Sequence, residues 1–142
     1  MGALDIQVVI DCTGPRRLAE FWAAALGYVM QPPPPGFDSW EQFADQIGVP
    51  PDLLAAVVDP ERVKPRILFQ KVPETKTVKN RVHLDIDVAP GVAIGSEERM
   101  AAAWARCEEL TARGATLLRE FSEPTGWWLL MADPEGNEFC LH

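Results

Sequence analysis

The chain has 142 residues, enough for a hydrophobic core, and 47% of them are hydrophobic, which excludes a disordered protein. Its net charge of −8 argues against a nucleic-acid partner, because basic side chains supply most non-specific binding to phosphates. No apolar run approaches the ~20 residues of a membrane span, and the first residues lack the basic segment of a secretory signal. The three cysteines form no Cys-X-X-Cys pair, so we expect reduced thiols. We therefore expect a cytoplasmic protein that binds neither nucleic acid nor membrane.

The charge is spread unevenly along the chain. Residues 61–81 contain seven basic side chains and only two acidic ones, Glu61 and Glu74, although the chain as a whole is acidic. A solvated connector that forms ion pairs with the acidic remainder is the plainer interpretation of this segment. Contact with an anionic ligand is the alternative.

The first half of the chain is predicted to contain a strand, a helix and three further strands. QVVID (7–11) alternates in the manner of a strand, and PRRLAEFWAAALG (15–27) has apolar residues at helical spacing between a Pro and a Gly that suit a helix start and end. Residues 32–52 begin with PPPPG and are predicted to be an insertion with a short helix near 39–47. The three further strands are predicted at 28–31, 55–58 and 66–72.

The second half repeats this order without the insertion. HLDID (83–87) alternates like QVVID, and Ser96 is a suitable N-cap for a helix that ends near Arg113. The buried stripe of this helix is predicted to contain Met100, Trp104, Cys107 and Leu110 or Thr111. The strands that follow it are predicted at 115–121, 127–131 and 138–142.

An Asp-Pro-Glu turn precedes the last strand of each half, at 59–61 and at 133–135. An Asp side chain accepts backbone hydrogen bonds in such a turn, and Pro sets the φ angle. The repeated turn and the repeated β-α-β-β-β order predict an α+β protein made of two duplicated modules. Module one is 4–73 and module two is 82–142, within a single domain that spans residues 1–142.

Strand alternation predicts which side chains point away from the helices, because successive residues of a strand face opposite sides of the sheet. If the continuous apolar residues of each strand pack against a helix, the intervening residues share the other face. This face is expected to carry Gln7, Val9, Asp11, Leu68, Gln70, His83, Asp85, Asp87, Glu138, Cys140 and His142. Trp127 and Trp128 are adjacent and must point to opposite faces, and we expect Trp128 to add an aromatic wall.

The segments DCTGPRRLAEFWAAALGY, RVHLDIDV and MADPEGNEFCLH resemble the vicinal-oxygen-chelate superfamily of glyoxalase and bleomycin-resistance proteins. KTVKNRVHLD is similar to a glyoxalase-like subgroup that is frequent in actinobacteria. The resemblance implies two βαβββ modules that form an eight-stranded curved sheet around a cup. Members often hold a divalent metal in the cup, which a substrate chelates, whereas members that sequester drugs have a cup without metal.

The resemblance also implies where a metal would be held. A glutamate is usual at the position in the last strand where this chain has a cysteine. An imidazole, two neutral amides and a thiol that must lose its proton would form a weak metal site. The implied ligands are Gln7, Gln70 or Leu68, His83 and Cys140. Of these, Gln7, His83 and Cys140 are our candidates for a metal, and no cofactor is certain.

We therefore expect a glyoxalase-like protein that binds a small organic ligand in a cup between its two modules, without a tightly held metal. The alternative is a metal-dependent lyase, isomerase or dioxygenase of the vicinal-oxygen-chelate type. A third hypothesis is an interaction module whose cup is filled by its own insertion. A homodimer is the expected assembly, since it is the commonest small oligomer. The residues expected to line the cup are Gln7, Asp11, Gln70, His83, Asp85, Asp87, Trp128, Glu138 and Cys140.

Overall fold

The computed structural model of the protein describes residues 2–142 and has the predicted order of strand, helix and three strands, twice over. The chain forms two compact units, of which the first ends at Thr75 and the second is Lys76–His142. No helix within residues 2–142 combines the length and apolar character needed to cross a membrane. The elements are β1 (Val8–Cys12), α1 (Pro15–Leu26), β2 (Val29–Met30), α2 (Trp40–Ile47), β3 (Leu54–Val58), β4 (Ile67–Lys71), β5 (Leu84–Ile86), α3 (Glu97–Ala112), β6 (Thr116–Glu123), β7 (Gly126–Ala132) and β8 (Glu138–Leu141).

The first unit contains a four-stranded sheet in the order β1-β4-β3-β2, in which β1 and β4 are parallel and the other pairs are antiparallel. Ile67 and Phe69 are buried, as are Phe21 and Trp22 of α1, so the helix covers the face of the sheet to which these two β4 side chains point. The intervening Leu68 therefore points to the other face, in agreement with the alternation of the sequence.

The second unit contains the corresponding sheet in the order β5-β8-β7-β6, with β5 and β8 parallel. The two sheets have the same internal register, because Val8 is aligned with Ile67 in the first and Leu84 with Phe139 in the second. The predicted α+β fold with two βαβββ modules is thus confirmed, and each module forms one four-stranded sheet.

The buried stripe of α3 differs from the predicted one. Cys107 and Leu110 are buried as expected, but Trp104 is 37% exposed. Ala103 and Arg99 occupy the buried line instead, at 0% and 6% exposure. The small Ala103 lets the helix approach the sheet, and the large indole of Trp104 is displaced to the edge, so the prediction from side-chain size was wrong at this position.

The insertion of the first unit carries α2, whose N-cap Ser39 accepts a hydrogen bond from the Gln42 N–H at 3.1 Å. The ring of Phe43 lies edge-on to that of Trp40, with centroids 5.8 Å apart. The indole N–H of Trp40 donates to the backbone carbonyl of Gln31 at 2.7 Å. The hydrogen bond from Trp40 attaches the inserted helix to the residue that follows β2.

Both Asp-Pro-Glu turns are built around the aspartate carboxylate. Asp59 accepts hydrogen bonds from the backbone N–H groups of Glu61, Val63 and Lys64 at 3.1, 3.1 and 2.9 Å. Asp133 accepts from those of Glu135 and Asn137 at 2.9 and 3.0 Å. The backbone hydrogen bonds, above all that from Lys64, lower the pKa of Asp59.

One residue in each turn has a positive φ angle, Gly136 at 86° and Arg62 at 60°. Only glycine adopts this conformation without steric cost. A Cβ at Gly136 would meet no atom within 4 Å, so a side chain there would strain only the backbone conformation.

We expect Arg62→Gly to raise the free energy of unfolding by roughly 0.5 kcal/mol and Gly136→Ala to lower it by about 1 kcal/mol. Urea denaturation of both variants measures this, and a loss of stability in Arg62→Gly would contradict the assignment.

Candidate functional site

A cavity of about 540 Å³ lies against the sheet of the second unit. All of its lining residues fall between Lys79 and His142, so it belongs to this unit alone. Part of its wall is the open face of the sheet, by which we mean the face away from α3 that carries Asp85, Leu130 and Cys140. The loop before α3 and the first turn of that helix add to the wall. They contribute Ile94, Gly95, Arg99 and Met100.

Three polar side chains meet on this open face because β5 and β8 are parallel neighbours. The register aligns Asp85 with Cys140, and His83 lies two residues before Asp85 on the same face. The Nε2 atom of His83 is 3.3 Å from Oδ1 of Asp85, and one potential metal-binding atom from each of the three residues lies within 4.8 Å of the others. We call His83, Asp85 and Cys140 the polar cluster. Cys140 is its buried member, whereas the imidazole and the carboxylate are about half exposed.

The thiol of Cys140 is neutral in this setting. Burial raises its pKa to about 12, and the negative charge of Asp85 and the hydrogen bond between the two side chains act in the same direction. A nucleophilic cysteine needs the thiolate form, which is favoured beside a cation rather than beside a carboxylate. The thiolate form of Cys140 is therefore disfavoured in the metal-free protein, and its thiol is hydrogen-bonded to Asp85.

An aromatic wall stands beside the polar cluster on the same face. Phe121 and Trp128 are cross-strand partners whose rings are stacked, with centroids 5.1 Å apart and planes inclined by 13°. The guanidinium of Arg119 lies 4.6 Å from the centre of the Phe121 ring. Trp127 points to the other side, where its ring centroid is 6.4 Å from that of Trp104, although it also reaches the rim of the cavity.

Two of the acidic residues predicted to line the cup, Glu138 and Asp87, are not among the residues that line the cavity, and each is paired with a basic side chain. Glu138 forms an ion pair with Lys79, whose hydrogen bond lowers the pKa of this carboxyl. Asp87 accepts a hydrogen bond from Arg99 at 2.5 Å. Partial burial raises the pKa of Asp87, but the hydrogen bonds from the Ala89 N–H and from Arg99 lower it overall. Both carboxylates therefore balance charged side chains that themselves line the cavity.

Arg99 is the residue that the sequence analysis missed. Besides Asp87, its guanidinium donates to the backbone carbonyls of Ala89 at 2.8 Å, Val92 at 2.7 Å and His142 at 3.2 Å. It thereby joins the loop before α3 to the end of the last strand, and both segments border the cavity. In the sequence this residue is a single Arg in the first turn of a predicted helix. Arginine side chains are rarely buried, so nothing in the sequence indicated an interior position.

The remaining predicted residues lie in the first unit. Gln7 accepts a hydrogen bond from Arg66 at 2.6 Å through its amide oxygen. Asp11 and Gln70 are register partners on β1 and β4, and both are exposed. Leu68 holds the position that corresponds to Cys140, because Leu68 is aligned with Val9, the second residue of β1, and Cys140 with Asp85, the second residue of β5. The first unit therefore has no counterpart of the polar cluster at these aligned positions.

The polar cluster fits one class of metal. Imidazole nitrogen, carboxylate oxygen and thiolate sulfur are the donor types that zinc and other borderline ions prefer, whereas magnesium and calcium prefer oxygen alone. Asp85 joins His83 and Cys140 in this cluster as a donor that the sequence analysis had not named as a metal ligand. Cys140 would have to lose its proton, which burial and Asp85 oppose in the metal-free protein. A bound ion would act as a Lewis acid toward an oxygen of the ligand.

Residues 7–142 match the model of the family described as Glyoxalase-like domain. The chain belongs to the glyoxalase-like domain family. The resemblance seen in the sequence is thereby confirmed at the level of this family. No curated protein sequence matches this glyoxalase-like protein.

Solved structures of low sequence identity share the fold of this glyoxalase-like protein. One is a glyoxalase/bleomycin resistance protein/dioxygenase family enzyme from Burkholderia phytofirmans PsJN, with 18% identity, a TM-score of 0.61 and coverage of 95% of this chain and 94% of that one. A mutant of the fosfomycin resistance protein FosX from Listeria monocytogenes, complexed with Mn(II) and 1S,2S-dihydroxypropylphosphonic acid, has 10% identity, a TM-score of 0.65 and coverage of 100% and 90%. The bleomycin-binding protein from Streptomyces verticillus, complexed with copper(II)-bleomycin, has 14% identity, a TM-score of 0.55 and coverage of 99% and 96%.

We expect Arg99→Gln to lower the free energy of unfolding by about 3 kcal/mol, because it leaves Asp87 and three backbone carbonyls without the donor that the buried guanidinium supplies. Arg113→Gln changes an exposed residue at the end of α3 and should stay within about 0.5 kcal/mol of the parent protein. Urea denaturation of the two variants makes the comparison. Equal stabilities would show that the Arg99 contacts add nothing to the fold.

Proposed function

We propose that this glyoxalase-like protein binds a small organic ligand in the cavity of its second unit, without a tightly held metal. The observation that carries the proposal is the cavity itself, with a volume of about 540 Å³ and an aromatic wall beside a polar cluster. Ligand pockets in proteins have volumes of roughly 300–1,000 Å³ and combine apolar walls with a few convergent polar groups.

The lining suggests what the ligand looks like. The stacked rings of Phe121 and Trp128 favour a planar molecule, which would extend the stack. The carboxylate of Asp85 accepts hydrogen bonds, so the ligand is expected to present a donor toward the polar cluster. The cations that border the cavity, Lys79 and Arg99, are each paired with a carboxylate, so a strongly anionic ligand is not favoured here.

The state of the thiol supports binding without a tightly held metal. Cys140 is neutral and hydrogen-bonded to Asp85, so a metal would have to displace a proton and break that contact. The structurally similar bleomycin-binding and FosX proteins are complexed with ligands that carry or accompany a metal.

We expect at least one planar compound, from a panel of aromatic metabolites and antibiotics that includes bleomycin, to raise the thermal midpoint of the full chain. Binding at a hundred times Kd stabilises the protein by about 2.7 kcal/mol. Trp128→Leu should weaken such binding about tenfold, because it removes the stacking surface, which corresponds to roughly 1.4 kcal/mol.

The matched control for this test is Phe37→Leu, which removes an aromatic ring in the first unit and should leave the affinity unchanged. Titration calorimetry with each variant gives the two dissociation constants. A panel with no stabilising compound, or a hit that Trp128→Leu binds as tightly as the parent protein, would count against the proposal.

The second candidate is a metal-dependent lyase, isomerase or dioxygenase, and the donor set of the polar cluster is the observation that favours it. Our first proposal predicts that dialysis against a chelator changes neither thermal stability nor ligand affinity. Elemental analysis before and after dialysis, with added zinc and with magnesium as the control, makes the measurement. One retained equivalent of a transition metal that is lost in His83→Gln would replace the first proposal by the second.

The assembly and cellular context are part of the same proposal. We infer a cytoplasmic homodimer, a single domain over residues 1–142 with modules 4–73 and 82–142, and membership of the subgroup frequent in actinobacteria. Sedimentation equilibrium should give twice the chain mass of 15.7 kDa. A mass equal to one chain would exclude the dimer.

A further inference from the structure

Two tryptophans of the second unit meet on the side of the sheet that α3 covers. Trp127 shares its face of β7 with Leu129 and Met131, both of which are completely buried. The ring of Trp104, from α3, lies against it, with centroids 6.4 Å apart and planes inclined by 56°. Rings at this angle are not stacked, so each keeps a face that its partner does not cover. We call Trp104 and Trp127 the tryptophan pair.

The tryptophan pair is in contact with solvent. Trp104 is 37% exposed and Trp127 is half-buried, whereas Trp22 of the first unit is 1% exposed. Single exposed apolar side chains are ordinary on a protein surface, but adjoining ones more often mark a place where something binds. Two large rings in mutual contact at the edge of a helix are such a place.

The indole of Trp127 is held by a carboxylate. Its N–H donates to Oε1 of Glu120 at 2.8 Å. Glu120 is aligned with Leu129 in the pairing of β6 with β7, so it lies on the same side of the sheet as the tryptophan pair. The hydrogen bond fixes the orientation of the indole and places a negative charge at the edge of its ring.

A second carboxylate lies beside the other ring. Glu108 is one helical turn after Trp104, and long side chains of a helix lean toward its N-terminus, so Glu108 leans toward the indole. Both Glu108 and Glu120 are exposed. Within residues 2–142 neither of them forms an ion pair. The tryptophan pair is thus flanked by two negative charges that no basic side chain balances.

The basic side chains nearest in sequence are directed elsewhere. Arg106 of α3 forms an ion pair with Glu109. Arg119 directly precedes Glu120 in β6 and therefore points to the open face of the sheet, where its guanidinium lies over the ring of Phe121. Both carboxylates beside the tryptophan pair consequently remain available to a cation from outside the chain.

We propose that the tryptophan pair, together with Glu108 and Glu120, binds a small quaternary ammonium compound. An indole attracts a cation that lies within roughly 6 Å of its ring centroid, and the spacing of the two rings allows one cation to approach both. A quaternary ammonium is favoured over a primary one, because a primary ammonium is strongly hydrated. The polar cluster and the aromatic wall lie on the other face of the sheet, so this site goes beyond the function proposed above.

The test is a titration of the full, ¹⁵N-labelled chain with choline, followed by the indole N–H signals of its tryptophans in NMR spectra. Each signal is assigned by its loss in a Trp→Phe variant, and sodium chloride at the same ionic strength is the reference. We expect choline to shift the signals of Trp104 and Trp127 saturably and to leave that of Trp128 in place. No saturable shift of the tryptophan pair would overturn the proposal.

Two further compounds test the chemistry of recognition. The alcohol 3,3-dimethyl-1-butanol has the shape of choline without its charge and should bind about tenfold more weakly. Methylammonium should also bind more weakly than choline, because it is the more strongly hydrated cation. Equal binding of the neutral alcohol would overturn the role of charge, and equal binding of methylammonium would overturn the choice of a quaternary ligand.

Variants of the site separate its two components. Trp104→Leu should weaken choline binding about fivefold, because it removes one of the two rings. Glu120→Gln should weaken it about threefold, since it removes the charge but keeps an oxygen that can accept from the Trp127 N–H. Glu123→Gln is the matched control, because Glu123 is an exposed residue of β6 on the open face. Unchanged affinity in both site variants, or an equal loss in Glu123→Gln, would overturn the assignment.

The same spectra distinguish the other occupants of this surface. Tighter binding of an oligolysine peptide than of choline would replace the small cation by a basic protein segment. A shift of the Trp104 signal with protein concentration alone would assign the surface to a second copy of the chain. Trp128→Leu should bind choline unchanged, even if the cavity binds no compound of the panel, and loss of binding in that variant would assign the cation to the cavity.

Discussion

The parallel pairing of β5 with β8 is the interaction on which the polar cluster depends. Its register aligns Asp85 with Cys140 on one face and Leu84 with Phe139 on the other. Phe139 is completely buried, so the hydrophobic core keeps the polar side chains opposite each other. A slip of one residue would exchange the two faces and bury the carboxylate, which makes the register one of the most strongly specified features of the unit.

The same frame carries different chemistry in the two modules. Where the second module has Asp85 and Cys140, the first has the aligned pair Val9 and Leu68. The repeated backbone thus presents a polar cluster beside an aromatic wall in one unit and two aliphatic side chains at the aligned positions of the other. Duplication preserved the contacts that bury the core, since those determine the fold, and left the opposite faces free to diverge.

Much of the fold could be predicted because its signals are local. The helix in PRRLAEFWAAALG, the alternation around Asp85 and the two Asp-Pro-Glu turns each depend on residues that are close in sequence. The buried stripe of α3 was predicted less well. Helical periodicity was assigned from the large apolar residues, and it does not show that the small Ala103, rather than its neighbour Trp104, faces the sheet. The same limit concealed Arg99, whose burial is compensated by carbonyls of a loop and of the last strand.

The sequence by itself determined the order of the elements, the duplicated turns and which residues of each strand share a face, because alternation and turn chemistry act over a few residues. Only the tertiary structure decided the state of each functional group. The neutral thiol of Cys140 depends on its burial and on Asp85 from another strand, and the hydrogen bond that orients Arg66 is accepted by Gln7, 59 residues away. Protonation and ion pairing follow from distances between such remote residues, and those distances exist only after the chain has folded.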